Sequence, residues 1–144
     1  MQPLSRSRLR RLDDRGASAL ELAFIAPSLL LLIFFVIQTA LWFYGRSVAQ
    51  QAAREGVSQI RLSQTQQACR DSVATVTQHV QDFATDVGRE ALIKPEAQPS
   101  CDGYDRGQVS VTVRGRAISL VPGLTLTVTQ KASGAVERFQ CDGC

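Results

Sequence analysis

A single carboxylate lies at the start of the most apolar part of the chain. Glu21 comes five residues after Gly16, and the 24 residues Leu22–Gly45 that follow it contain no Lys, Arg, Asp or Glu. An acidic side chain costs up to about 3 kcal/mol at the centre of a membrane helix, and less near the interface. Either Glu21 contacts lipid headgroups, or it meets a cationic partner that makes its position favourable.

Four cysteines offer a second kind of chemistry. Cys141 and Cys144 have Cys-x-x-Cys spacing, whereas Cys69 and Cys101 are isolated. Zinc binding is disfavoured, because a second Cys-x-x-Cys is missing and the single histidine, His79, is far away in sequence. A redox role is disfavoured because such motifs normally open a helix in a βαβ unit, whereas this one follows a predicted strand. We therefore expect structural disulfides and no metal site.

The remaining polar residues do not form a recognisable active site. The sequence has no Ser/His/Asp set, no phosphate-binding loop and no convincing pair of catalytic carboxylates. Asp82, Asp86 and Glu90 recur at spacings of four, which is typical of a solvated helix face. The sequence thus predicts a protein that is not an enzyme and uses no cofactor.

The apolar run is long enough to cross a lipid bilayer. As a helix, Leu22–Gly45 would extend about 36 Å, and the hydrocarbon core of a bilayer is about 30 Å thick. Trp42, Phe43 and Tyr44 follow its most apolar part, as interfacial aromatic residues do. A buried core helix seldom runs this far without a charge, so a membrane segment is predicted.

The charge distribution indicates the orientation. Residues 1–16 contain five arginines and two aspartates, and the rest of the chain has equal numbers of basic and acidic groups, so this segment carries the whole net charge of +3. Basic residues before a span favour a cytoplasmic N-terminus. A nucleic-acid partner is not expected, because that function needs a basic face on a folded domain.

With the N-terminus inside, all four cysteines lie outside the cytoplasm. An even number in an oxidising compartment predicts disulfides, with three possible pairings. A Cys69–Cys101 bridge would contribute roughly 3.5–4 kcal/mol in the chain-entropy model, and Cys141 would then pair with Cys144. A Cys101–Cys141 pairing stays open.

Hydrophobic periodicity predicts two helices. Residues 17–62 read as one continuous helix, whose second half carries a stripe of mostly small residues that would let another helix approach closely. The members of the stripe are Ala49, Ala53, Gly56 and Ile60. A second, amphipathic helix is marked by apolar residues at spacings of three and four, namely Val73, Val76, Val80, Phe83 and Val87. It should end near Lys94, because Pro95 cannot continue it.

A period of two then predicts a small antiparallel sheet of three to four strands. Alternation marks Val109–Val113 and Leu124–Val128, a short strand is plausible at Ala117–Val121, and residues 135–140 could add another. Pro95–Gly107 reads as turns. The predicted fold class is α+β, with the sheet packed on the amphipathic helix.

The first helix resembles a known family. The resemblance rests on the basic leader, on RGASALELAFIAPSLLLLIFF from Arg15, on Tyr44-Gly45 and on QQAAREG from Gln50. Together these resemble the TadE-like family, pseudopilins of tight-adherence (Flp, type IVb) pilus systems, over about residues 15–60. The implied fold is pilin-like, with a membrane-spanning first half of the long helix.

The resemblance implies roles for single residues. A prepilin peptidase would cleave between Gly16 and Ala17, and glycine would let the extended backbone fit that enzyme. Glu21, one helical turn beyond the new α-amino group of Ala17, would set the register of a subunit by pairing with such an amine. Pro27 removes one helix hydrogen bond and would kink the span, or else it merely fits early in the helix.

The resemblance departs from the family pattern at Gln38-Thr39, where many members have an acid. Polar side chains there are expected to hydrogen-bond across helices for roughly 0.6 kcal/mol each.

The predicted organisation has four parts: a leader at 1–16, a transmembrane half-helix at 17–45, an extracytoplasmic helical region at 46–94 and a β region with cysteines at 95–144. The implied function is that of a minor pilin or pseudopilin in the inner membrane. Its partners would be a prepilin peptidase, other pilins, the assembly machinery and the lipid bilayer. The alternative is an uncleaved, signal-anchored accessory or adhesin domain that does not enter a fibre. A cleaved secretory signal is disfavoured, because its apolar region would be shorter.

Overall fold

The computed structural model of the protein describes residues 13–137, with side chains from Ala19 onward. In chain order the elements are α1 (Asp13–Ile60), α2 (Gln66–Gly88), β1 (Leu92–Ser100), a 3-10 turn (Tyr104–Arg106), β2 (Gln108–Ala117) and β3 (Leu126–Ala135). The predicted α+β class, with a long first helix, a second helix and a small antiparallel sheet, is confirmed. Cys141 and Cys144 lie outside the described residues, as does most of the leader.

The chain divides into two compact units between Ile37 and Gln38, within α1. We call Ala19–Ile37 the span and Gln38–Glu137 the head. The boundary lies inside the segment 17–45 that the sequence assigns to the membrane, and the predicted limit at Gly45 stays a prediction.

Every residue of the span is exposed. Its 19 residues extend about 28 Å as a helix, close to the thickness of a hydrocarbon core. The exposed side chains are mostly leucine, isoleucine and phenylalanine, and α1 is long and apolar enough to cross a membrane. A surface of this kind is unfavourable in water and favourable in lipid.

The head is built around a three-stranded antiparallel sheet in the order β1-β2-β3. The central strand, β2, alternates as predicted: Val109, Val111 and Val113 are buried, whereas Arg114 and Arg116 are exposed. Period-two alternation places successive side chains on opposite faces of the sheet. The inner face therefore forms one core together with the buried residues of α1 and α2.

The small-residue stripe of α1 lies in that core. Ala49, Ala53 and Ile60 are completely buried. A Cβ added to Gly56 would lie 2.6 Å from Val80 Cγ2 on α2 and 3.1 Å from Val111 Cγ1 on β2. The stripe thus permits the close approach of both a helix and a sheet, whereas the sequence predicted only a second helix.

Helix α2 begins at a side-chain cap and ends earlier than predicted. Thr65 Oγ1 accepts a hydrogen bond from the Ala68 N–H at 3.1 Å, the usual arrangement at a helix N-cap. The helix ends at Gly88, not near Lys94, and Arg89 follows with φ of 46°. The prediction was wrong because Pro95 limits only how far a helix can extend; residues from Leu92 onward pair with β2 instead.

The stretch from Pro95 to Gly107, predicted as turns, contains most of strand β1. A proline cannot donate a ladder hydrogen bond, so it is confined to edge strands and bulges. β1 is an edge strand, and its register with β2 shifts between Ile93 and Glu96, at Pro95. Lys94 has φ of 51° beside this irregularity. The turn prediction was therefore wrong for Pro95–Ser100 and correct only for the segment after it.

The connection from β2 to β3 also differs from the prediction. Ala117 ends β2, and Ile118–Thr125 form a loop instead of the short strand expected at Ala117–Val121. β3 begins at Leu126, so Leu124 is an exposed loop residue. The alternating pattern does mark a strand, β3. Its predicted start at Leu124 is wrong because Pro122-Gly123 lies too close to Leu124 for that residue to pair with β2. The sequence also offered a further strand at residues 135–140. Ala135 is the last residue of β3, and residues 138–140 lie outside the described residues.

Candidate assembly and anchoring sites

The residues predicted to act in processing and register, Gly16, Ala17 and Glu21, lie near the beginning of α1. Gly16 and Ala17 are already helical, because α1 begins at Asp13 rather than at the predicted start, Ala17. Glu21 is exposed within the first turns of the span. It is thus available to a partner outside the chain, and its predicted role stays a prediction.

Pro27 lies in the interior of α1, well beyond the first turn that tolerates proline best. The next residue, Ser28, donates its hydroxyl to the carbonyl oxygens of Phe24 at 2.9 Å and Ile25 at 3.0 Å. Local hydrogen bonds of this type satisfy a polar side chain without a partner helix. The helix continues through Pro27, and a kink at this position stays a prediction.

Gln38, the first residue of the head, binds the loop between β2 and β3. Its Oε1 accepts a hydrogen bond from the Leu120 N–H at 2.9 Å, and its Nε2 donates to the Ile118 carbonyl oxygen at 3.4 Å. The Ser119 hydroxyl lies 3.5 Å from the same Oε1. Gln38 thus bonds within the head, and a bond across helices of a bundle stays a prediction. No sequence signal reveals this role, because the loop lies about 80 residues further along the chain.

The three aromatic residues after the span have different environments. Trp42 packs against the head core, and the Arg46 guanidinium lies 5.7 Å from the centre of its ring, within the range of a cation–π contact. Phe43 and Tyr44 are more than half exposed. Of the predicted interfacial cluster, Phe43 and Tyr44 are therefore free to meet an interface, and Trp42 is largely a head residue.

The structure joins Cys69 to Cys101 in a disulfide across 32 residues. This bridge ties the first turn of α2 to the end of β1, and both cysteines are buried. Tyr104, in the turn that follows, donates its hydroxyl to the Ser63 carbonyl oxygen at 2.8 Å. The two contacts attach the segment before β2 to the start of α2 and to the connection between the helices. A pairing of Cys141 with Cys144 is consistent with this bridge and stays a prediction.

The other candidate residues form no catalytic arrangement among residues 13–137. His79 is exposed, with Nε2 3.5 Å from Glu55 Oε1. Asp82, Asp86 and Glu90 are exposed, as expected for a solvated face. In the described part of the chain no three His, Cys, Asp or Glu side chains converge as metal ligands, and no polar side chain is buried without a hydrogen bond.

Comparison with known proteins agrees with this arrangement of the first helix. Residues 16–58 match the family model described as TadE-like protein. This part of the chain resembles the TadE-like family. The TadE-like segment begins at Gly16 and covers the span, Gln38 and three of the four members of the small-residue stripe, which confirms the resemblance seen in the sequence. It stops before α2 and the sheet. No curated protein and no solved structure matches the chain.

Proposed function

We propose that the protein is a minor pilin or pseudopilin of a tight-adherence (Flp, type IVb) pilus system. The span holds the chain in the cytoplasmic membrane, with the N-terminus inside and the head outside. A prepilin peptidase removes the leader between Gly16 and Ala17, and the mature subunit then joins other pilins and the assembly machinery. The protein itself has no catalytic role.

The observation that supports this proposal best is the extent of the TadE-like segment. It begins at Gly16, the residue predicted to precede the cleaved bond, and continues through the exposed span. An association with the Tad pilus follows at the level of the family. Initiation, capping and adhesion are finer roles that belong to the proposal.

The position of Glu21 at the start of the apolar span has a physical explanation if subunits pack through their spans. In lipid the side chain lies near the interface, where a carboxylate is tolerated. In a bundle of apolar helices it needs a cationic partner, because an unpaired buried charge is costly. Cleavage creates one, the α-amino group of Ala17, on the same chain or on a neighbour. Glu21 would thus favour the one axial position at which its charge is neutralised.

Processing requires part of α1 to open. Gly16 and Ala17 are helical in the uncleaved chain, whereas a peptidase binds an extended backbone. Glycine lowers helix stability by about 1 kcal/mol relative to alanine, and helix ends fray readily. Gly16 would therefore favour both the opening of the first turns and the fit of the backbone in the enzyme.

The test is the intact mass and N-terminal sequence of the protein from its native host. We expect a mature chain that begins at Ala17. The variant Glu21→Leu should be cleaved normally but be absent from sheared fibres, because it loses the register interaction. Ser28→Ala is the matched control, since the Ser28 hydroxyl bonds to carbonyl groups of its own helix, and it should be cleaved and incorporated like the parent.

A chain that keeps its Arg-rich leader in a host with an active peptidase would contradict the proposal. The signal-anchored accessory protein would then be the better account. Normal incorporation of Glu21→Leu would contradict the register role alone and leave the processing step intact.

A further inference from the structure

The loop between β2 and β3 presents apolar side chains to its surroundings. Leu120, Val121 and Leu124 are between 44% and 50% exposed, and Pro122 between them is exposed as well. Exposed apolar clusters of this kind mark contacts with a partner or a membrane. None of the three belongs to the buried core of the head or packs against it.

The hydrogen bonds of Gln38 fix where this loop lies in the head. Two backbone groups of the loop, the Leu120 N–H and the Ile118 carbonyl, bind the Gln38 side chain. Gln38 follows Ile37, the last residue of the span, directly in the chain. If the span crosses the hydrocarbon core, Gln38 lies at the membrane boundary, and its hydrogen bonds hold the loop at the same level.

Close contacts show which other residues lie at the end of the head where Gln38 binds the β2–β3 loop. A Cβ added to Gly45 would meet the Ala91 carbonyl oxygen at 3.0 Å and the Ala117 Cβ at 3.2 Å. One added to Gly88 would meet Val48 Cγ1 at 2.9 Å. Residues 45–48, 88–94 and 115–125 therefore form the end of the head nearest to Gln38, which we call the near end.

The near end is basic. Its charged residues are the exposed side chains of Arg46, Arg89, Lys94 and Arg116, against one acid, Glu90. The opposite end, formed by residues 61–71, 100–108 and 133–137, has three basic residues and four acids. Basic side chains near a membrane surface are attracted to anionic lipid headgroups. The charge difference therefore favours a phospholipid leaflet over a polar protein surface as the partner of the near end.

We propose that the apolar tip of the β2–β3 loop inserts into the leaflet that borders the head, as a second membrane contact besides the span. Leu120, Val121 and Leu124 enter the interface, and the basic side chains of the near end bind headgroup phosphates. The combination of an apolar surface with adjacent cations is the usual basis of interfacial binding. The contact holds the head against the membrane surface, whether or not the chain later enters a fibre.

The test measures the depth of single tryptophans in the full chain, reconstituted in vesicles that contain anionic phospholipid brominated near the carbonyl end of the acyl chains. Trp42 is the one tryptophan in the sequence, so the background is Trp42→Phe. Val121→Trp in this background places the probe in the loop. Leu62→Trp is the matched control, because Leu62 is equally apolar and exposed but lies at the opposite end of the head.

We expect brominated lipid to lower the emission of the Val121→Trp probe roughly twofold and to leave the Leu62→Trp probe unchanged. The quenching should be the same at all ratios of protein to lipid. Equal and negligible quenching of both probes would overturn the proposal. Another outcome is that the loop probe is shielded from water only at high protein density, without quenching by brominated lipid. That outcome would also overturn the proposal and identify a second copy of the chain as the occupant.

A charge reversal tests the headgroup contact separately. Arg116→Glu, at the near end, should reduce quenching of the loop probe on anionic vesicles. Arg106→Glu, an exposed arginine at the opposite end, should not. Equal effects of the two variants, or no effect of either, would overturn the electrostatic part of the proposal. Every readout here is the quenching of a tryptophan probe by brominated lipid. Failure of the proposed pilus function would therefore leave this test of the loop contact unaffected.

Discussion

The two halves of α1 share one backbone geometry and differ in nearly every other respect. The span is lined with exposed leucine, isoleucine and phenylalanine, whereas the following turns bury Ala49, Ala52 and Ala53 completely. Lipid chains adapt to large side chains of any shape, so bulk is favourable there. A second helix or a sheet has a fixed backbone and approaches closely only where side chains are small. Residue size along one helix therefore distinguishes the exposed apolar half, which is suited to lipid, from the half that packs against protein.

Removal of the disulfide should produce the largest effect that separates the two halves, because the disulfide lies in the head alone. Replacing both partners, Cys69→Ser with Cys101→Ser, should lower the free energy of unfolding of the head by about 3.7 kcal/mol in the chain-entropy model. The span should remain helical in lipid. Denaturant unfolding followed by the fluorescence of Trp42, which packs on the head core, measures the change.

The other cysteine pair is the control for that experiment. If Cys141 and Cys144 pair with each other, the short loop they close predicts a loss of only about 2 kcal/mol. A loss from the Cys141/Cys144 replacement as large as that from Cys69/Cys101 would show that the pairing in solution differs from the predicted one.

A charge in the span tests its lipid partner. Leu31 is 72% exposed in the middle of the span, and Leu31→Asp should disfavour membrane insertion by about 2.5–3.5 kcal/mol. The stability of the folded head should not change. The fraction of chain recovered in membranes is the measurement, with the exposed head position Gln50→Asp as the control. Unchanged insertion of Leu31→Asp would contradict the assignment of the span to lipid.

A bulky residue in the head half tests the protein partner. Gly56→Val would force side-chain atoms into Val80 and Val111, and overpacking of this kind costs roughly 1–3 kcal/mol. Gln50→Val, exposed on the same helix, should change head stability by no more than about 0.5 kcal/mol. Equal stability of the two variants in thermal unfolding would mean that the close approach at Gly56 does not exist.

The smallest expected effect concerns the residue that separates the two halves. Gln38→Leu removes the acceptor and the donor that bind the β2–β3 loop, and a hydrogen bond of this kind contributes about 1 kcal/mol. We expect the Leu120 amide to exchange its hydrogen about fivefold faster, with amides of β2 unaffected. Unaltered exchange at Leu120 would show that the loop is held by its other contacts.

Sequence pattern predicted the structure correctly wherever the residues of one element determine that element's conformation. The unbroken α1, the alternation of Val109, Val111 and Val113, and the buried stripe at Ala49 and Ala53 were all predictable, because burial on one face imposes a period. The same holds for the TadE-like segment, whose acid and apolar run are contiguous. Glu21 could be singled out for this reason, although its proposed role depends on partners outside the chain.

Local pattern misled where pairing with a distant segment decides the outcome. Pro95 and Pro99 indicated turns, but an edge strand tolerates proline wherever no ladder N–H is needed, and β2 supplied the pairing. The end of α2 at Gly88 has the same cause, since Leu92 is buried against the core rather than continuing the helix. Neither outcome depends on the residues concerned alone.

The sequence by itself determined that this protein has an apolar span with an acid at its start, a basic segment before it and an α+β region after it. These features follow from composition and short-range spacing, which act before any tertiary contact forms. Only the tertiary structure decided that Cys69 joins Cys101, that Gln38 holds the β2–β3 loop and that basic side chains collect at the near end. Each of these brings together residues far apart in the chain, and the free energy of such contacts comes from packing that no local pattern contains.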